Sequence, residues 1–153
     1  MTPAWRAALV AAGTTAADQA VKALVRTTIE RGGEVDLFLG IQLVNVRNRG
    51  IAFGLFADGG VVLVLFALAA LAALLVFFAR HRDRPLVWLP TGLLIGGATG
   101  NLIDRTAEGA VTDFIDFPFW PAFNVADIAI TFGVLALLYV LEGPPRHGAR
   151  RRT

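Results

Sequence analysis

Apolar residues gather in four segments, at 7–25, 60–79, 86–103 and 123–141. The second reads GVVLVLFALAALAALLVFFA, twenty residues without a charge. That is about the length needed to cross a hydrocarbon core of roughly 30 Å. Such a run in water would have no face it could leave exposed. The third and fourth segments are convincing spans as well, the fourth carrying one aspartate near its start. The first is weaker, because it carries Asp18 and Lys22 and is rich in alanine and threonine. A cleaved secretory signal peptide is the alternative for it, with Arg6 as the positive n-region and small residues in AADQA. The pattern predicts an all-α integral membrane protein of four transmembrane helices, with residues 1–153 forming one membrane domain.

Between the spans lie two outer segments, 26–59 and 104–122. Within the first, VDLFLGIQLVNV alternates loosely and is rich in β-branched and aromatic residues, so a small extracytoplasmic β-rich segment is predicted there. The second reads as a shorter loop carrying Phe117, Pro118, Phe119, Trp120 and Pro121, whose aromatic rings suit the headgroup level. Arg6, then Arg80, Arg82 and Arg84, then Arg146, Arg150, Arg151 and Arg152 fall on one side if four helices alternate. These are eight of the fourteen Lys and Arg residues. The excess of positive charge at cytoplasmic flanks therefore predicts both termini and the basic tail, 142–153, inside the cell. A pI near 9.9 needs no nucleic acid to explain it, since a basic tail beside a span reads as a topology or lipid-headgroup signal.

Composition narrows the chemistry. The chain is 56% hydrophobic and 17% charged, against about half and a quarter in soluble domains. It contains no cysteine and no serine, which excludes disulfides, thiolate metal sites and the usual serine or cysteine nucleophiles. His81 and His147 show no ligand spacing, and no metal or other cofactor is expected. A hydrolase built from this chain must use carboxylates, with threonine a remote second choice.

Ionisable groups inside spans are costly and point by default to a functional site. Asp18 and Lys22 are spaced i, i+4 and read as a neutralising pair. Asn101, Asp104 and Arg105, at the end of GGATGNLIDR, fall at i, i+3 and i+4 and aim to one side. Asn124 and Asp127 open the fourth span, and Asp127 has no basic residue near it in sequence. The preceding loop supplies Asp113, in an apolar context, and Asp116, expected to face water. Two carboxyls brought together do not both ionise easily, so one keeps a proton while the other accepts one. That permits an aspartic peptidase. Membrane-buried charges also suit a small proton-coupled transporter or channel, and a scaffold with every charge structural is a third reading.

DQAVK at 18–22, VRNRGIAFG at 46–54, GGATGNLIDR at 96–105, VTDFID at 111–116 and FNVADIAI at 123–130 together resemble the successive motifs of the lipoprotein signal peptidase (signal peptidase II) family. The resemblance spans nearly the whole chain. It implies that Asp113 and Asp127 are the catalytic pair. It further implies that Asn48 and Gly50 hold substrate beside a wall shaped by Ala52 and Phe53, and that Asn101, Arg105 and Asn124 hydrogen-bond around the pair or to the substrate. Asp18, Lys22 and Asp104 become structural groups. The partners implied are lipid-modified prolipoproteins, cut before a diacylglyceryl cysteine, and membrane lipids, in the bacterial inner membrane; nothing in the sequence demands a second copy, so a monomer is expected. The outer segment at 26–59 would hold a small sheet and a short interfacial helix. One departure stands out: the stretch joining VTDFID to FNVAD is a few residues shorter than in many relatives.

Overall fold

A computed structural model describes residues 1–50 and 60–142. Ala52, Phe53, the interfacial helix expected near them and the basic tail from residue 143 onward lie outside the described residues.

Helix α1 runs over Pro3–Thr28 and starts in the way its sequence dictates. Pro3 occupies the first turn, where its missing N–H is not needed, and the Thr2 hydroxyl caps Trp5 N–H at 3.3 Å. Strands β1 (Glu34–Phe38) and β2 (Ile41–Asn48) follow, then helices α2 (Gly60–His81) and α3 (Trp88–Glu108). Helix α3 stops at Gly109, which takes the left-handed conformation (φ 69°) and returns its N–H to Arg105 O. Strands β3 (Val111–Phe117) and β4 (Trp120–Phe123) then lead into α4 (Val125–Glu142).

Each helix ends later than hydropathy predicts, and α3 and α4 also begin two residues later. Helix α1 begins and ends outside 7–25, and α3 continues to Glu108, so Asp104 and Arg105 are helical rather than part of a loop. The segment 104–122 reads in sequence as an aromatic loop. Most of it is instead a β-hairpin, which closes at Pro118–Phe119 and gives the sheet its other half. Alternation was hard to see there because the strands are short and aromatic residues occupy both faces.

The four strands form one antiparallel sheet in the order β1-β2-β3-β4. Both hairpins turn on two residues. In the first, Leu39 (φ 54°) and Gly40 (φ 78°) both have positive φ, the geometry that matches strand twist. In the second, Pro118 precedes Phe119 at φ 66°, as in a turn with proline at its first central position. The sheet is seated on the bundle by a small core of Val25, Ile29 and Phe114, with Leu43, Ile115 and Val125 packed around it. This core joins the end of α1, the sheet and the start of α4.

Helix α3 is the centre of the bundle, packed chiefly on α1 and α4 and less on α2. Its glycines make the close approach possible. A methyl group at Gly97 would stand 2.5 Å from Ala126 O, and one at Gly100 would stand 2.5 Å from the Asp18 carboxylate. Helices α2 and α4 are long and apolar enough to cross a membrane, and both turn large side chains such as Phe66 and Phe132 outward. With the apolar residues outside, the buried interior is polar to an unusual degree: Asp18, Lys22, Asn101, Asp104, Asp113 and Asn124 are all buried.

Candidate active site

The site is organised by the residue that precedes α4. Asn124 Oδ1 accepts the Asp127 N–H at 2.9 Å, and Asp127 Oδ2 accepts the Asn124 N–H at 3.2 Å. This reciprocal pair satisfies orphan donors of the first helical turn. It also leaves the Asn124 amide NH2 to point away from the helix. That group donates to Asp113 Oδ1 at 2.6 Å and to Asn101 Oδ1 at 3.2 Å. One asparagine thus holds a carboxylate from β3 and a carboxylate from α4.

Asp113 is presented by the strand register. Its neighbours Thr112 and Phe114 face α1, where Thr112 Oγ1 accepts from Arg26 Nε at 2.9 Å and Phe114 joins the core. Alternation turns Asp113 the other way. In the β2–β3 ladder Asn48 pairs with Val111 and Val46 with Asp113, which makes Asn48 a diagonal neighbour of Asp113. Asn48 Nδ2 donates to Asp113 Oδ2 at 2.9 Å, and Asn48 Oδ1 accepts the Gly50 N–H at 3.0 Å. Burial lifts the Asp113 carboxyl to about 6, and the nearby Asp127 charge adds to the rise. The hydrogen bonds from Asn48 and Asn124 and the Lys22 charge pull the other way.

Asp127 Oδ1 accepts from Asn101 Nδ2 at 2.8 Å, and Asn101 Oδ1 accepts from Lys22 Nζ at 2.9 Å. Arg105 Nη2 donates to Gly50 O at 3.3 Å, which anchors the end of the β2 segment over α3. Two hollows meet along Arg105, Asp127 and Ile130. One, of about 630 Å³, runs beneath the β4 segment Trp120–Phe123 and also touches Asn48 and Gly50. The other, of about 520 Å³, lies between α2, α3 and α4 and is walled by residues such as Phe66, Leu71 and Leu94. Asp127 lines both. Asp113 lines neither and is only 2% exposed.

Behind the site stands a network of charges. Lys22 Nζ contacts Asp18 Oδ2 at 2.8 Å and Asp104 Oδ2 at 3.1 Å. Asp18 Oδ1 accepts the Ala126 N–H at 2.9 Å, in the first turn of α4. Asp104 also binds Arg26 at 2.9 Å, Gln19 Nε2 at 3.0 Å and the Thr112 N–H at 3.0 Å. Arg26 and Arg47 both reach Glu108.

Every described residue singled out from sequence therefore has a location. Asn48, Asn101, Asn124, Asp113 and Asp127 form one hydrogen-bonded cluster. Asp18, Lys22 and Asp104 form the network beneath it, and Gly50 and Arg105 lie at its rim. Asp116 is half-buried on β3 and belongs to neither group. Sequence alone assigns no role to Gln19, Arg26, Thr112, Arg47 or Glu108, although Gln19, Arg47 and Thr112 lie inside the motif blocks. Arg26 was within reach of sequence reading, since Asp18, Lys22 and Arg26 repeat every four residues along one face of α1. Thr112 carried no such signal, because its role depends on the sheet register.

Residues 10–142 match the family described as Signal peptidase (SPase) II. The chain is 40% identical over 153 aligned residues to a lipoprotein signal peptidase of Rhodopseudomonas palustris, covering 91% of this chain and 93% of that one. It is 46% identical over 106 residues to that of Syntrophomonas wolfei, covering 68% and 71%. Its fold matches a bacterial membrane enzyme solved by the in meso method at 2.3 Å resolution, with TM-score 0.85 and 28% identity over 96% of this chain and 93% of that one. The transporter and scaffold readings have no comparable support, and the chain belongs to the signal peptidase II family.

Proposed function

We propose that the protein is an aspartic endopeptidase that removes signal peptides from prolipoproteins by cutting just before a diacylglyceryl-modified cysteine, with Asp113 and Asp127 as its catalytic pair. The observation that carries this reading is the position of Asn124, which bonds both carboxylates while Asp127 opens onto two apolar hollows. Membership of the family and the name shared by the relatives support the substrate class.

In the proposed reaction one carboxyl of the pair is ionised and the other protonated. The ionised member takes a proton from water as the water oxygen attacks the scissile carbonyl carbon. The protonated member donates to the carbonyl oxygen as charge develops there. Collapse of the tetrahedral species breaks the C–N bond, and the amine leaves with a proton from the pair. Asn48, Gly50 and Arg105, which line the hollow beneath β4, then serve to hold the substrate backbone against Asp127, while Asn124 holds the pair itself. A lipid-anchored substrate presents long apolar chains, and the two hollows that converge on Asp127 have apolar walls suited to them.

The reading includes four membrane spans, α1 to α4, acting as one domain in the bacterial inner membrane. Both termini are cytoplasmic and the site lies near the outer face. The sheet and the carboxylates sit at the end of the bundle away from Arg80, Arg82 and Arg84, an arrangement that supports this topology. Membrane lipid is the expected surrounding, nucleic acid is no partner, and a monomer suffices. The test is cleavage of a diacylglyceryl-modified prolipoprotein by purified enzyme and by Asp113→Asn and Asp127→Asn. The wild type should cut before the lipidated cysteine and both folded variants should not; normal cutting by a folded variant overturns the assignment.

A further inference from the structure

Each asparagine around the two carboxylates has its amide orientation enforced by a group that can only donate. Asn124 Oδ1 is claimed by the Asp127 backbone N–H and Asn48 Oδ1 by the Gly50 backbone N–H. Asn101 Oδ1 is claimed chiefly by Lys22 Nζ. In all three the oxygen is occupied, so the NH2 must turn to a carboxylate. Two of these orienting donors are backbone and are kept by any substitution other than proline. The third is a side chain from another helix.

We infer that Lys22 is a positioning residue for the cleavage reaction, acting through Asn101, whose NH2 it directs at Asp127. Neutralising Asp18 needs only one contact from the ammonium. Lys22 has three, all used and all buried: Asp18, Asp104 and Asn101. Asp104 is already met by Arg26. The bond to the asparagine therefore adds nothing to charge balance, and what it does add is polarity. Without the ammonium, Asn101 Oδ1 keeps only the longer, neutral contact from Asn124 Nδ2 at 3.2 Å, and a half-turn of the amide that presents its oxygen to Asp127 becomes far less costly. An oxygen there repels an ionised Asp127 and competes with water and substrate for the proton of a neutral one.

This inference rests on the catalytic assignment of Asp127, and the experiment separates the two. With a diacylglyceryl-modified prolipoprotein as substrate, kcat and KM are measured for wild type, Lys22→Met, Asn101→Ala and the double variant, each normalised to folded protein. Losing the oriented charge-assisted bond should lower kcat on the order of tenfold to a hundredfold in Lys22→Met, with KM within about twofold because the substrate never touches Lys22. In the Asn101→Ala background, Lys22→Met should cost little more, since its target is already gone. Should Lys22→Met fail to fold, Asp18→Asn/Lys22→Met replaces it in both backgrounds, because it removes one charge of each sign and keeps an acceptor for Ala126 N–H. Unchanged kcat with lowered thermal stability, or losses that multiply in the double variant, overturns the inference and makes Lys22 purely structural. A folded Asp127→Asn that cuts normally overturns the catalytic assignment and the inference together. Inactive Asp127→Asn beside a fully active Lys22→Met overturns the inference alone.

Discussion

Asp104 Oδ2 accepts the backbone N–H of Thr112 at 3.0 Å, so a buried carboxylate on α3 grips β3 one residue before Asp113. The same carboxylate is held by Lys22, Arg26 and Gln19 from α1. Three elements thus meet on one side chain, and the position of Asp113 depends on it. Asp104→Ala should leave Lys22 short of a partner and free the strand, at a cost of about 3 kcal/mol or more. Thermal unfolding in detergent should show a clearly lowered Tm together with lost cleavage. An unchanged Tm would show that Arg26 and Asp18 suffice to hold the network.

Asn124 does two jobs, and they are separable. Asn124→Ser keeps a side-chain acceptor for the Asp127 N–H but loses the amide that reaches Asp113. The cap is therefore largely kept, and the stability loss should be confined to that of the missing bond to Asp113, about 1–3 kcal/mol. Cleavage should fall by about tenfold to a hundredfold, as expected when a charge-assisted hydrogen bond is removed. Near-native cleavage by the serine variant would mean that the bridge between the carboxylates is dispensable.

Two glycine positions make a controlled comparison. Gly100→Ala drives a methyl group to 2.5 Å from the Asp18 carboxylate, and overpacking of this kind costs roughly 1–3 kcal/mol. Gly13 has nothing within 4 Å of the added atom, so Gly13→Ala in α1 should be neutral or stabilising by a few tenths up to about 1 kcal/mol. Tm values for the two variants should move in opposite directions or differ clearly. Equal values would mean that α1 and α3 can move apart without loss.

The Asp113 carboxyl, lifted from its ordinary 3.8 to about 6 by burial, makes stability depend on pH with a definite sign. Between about pH 4 and pH 6 the folded protein keeps a proton on Asp113 that the unfolded chain has released. Stability from this group is therefore fully present below about pH 4 and is lost as pH rises through about 6, by on the order of 2–3 kcal/mol. Asp113→Asn, which cannot ionise, should lack this component. Unfolding followed across pH 4–7 should show wild type falling relative to the variant as pH rises. Parallel curves would mean that Asp113 titrates normally.

Much of this is legible in the chain itself. Twenty uncharged residues at 60–79 declare a span because hydrophobicity is additive along a helix. DQAVK places Asp18 and Lys22 on one helix face because the spacing is local, and FNVAD sets Asn124 and Asp127 three residues apart for the same reason. The hairpin at 111–123 was not legible, because sheet pairing joins β3 to β2 across more than sixty residues and short aromatic strands show little alternation.

The sequence by itself determined the inventory: apolar helices, carboxylates as the available chemistry, and a set of asparagines without serine or cysteine. The tertiary structure alone decided which carboxylate each asparagine serves, and which atom of each amide faces it. Amide polarity depends on what occupies the oxygen, and for Asn101 that occupant is an ammonium 79 residues away in the chain. Residue type can state that a donor exists, but only packing between helices states where it points.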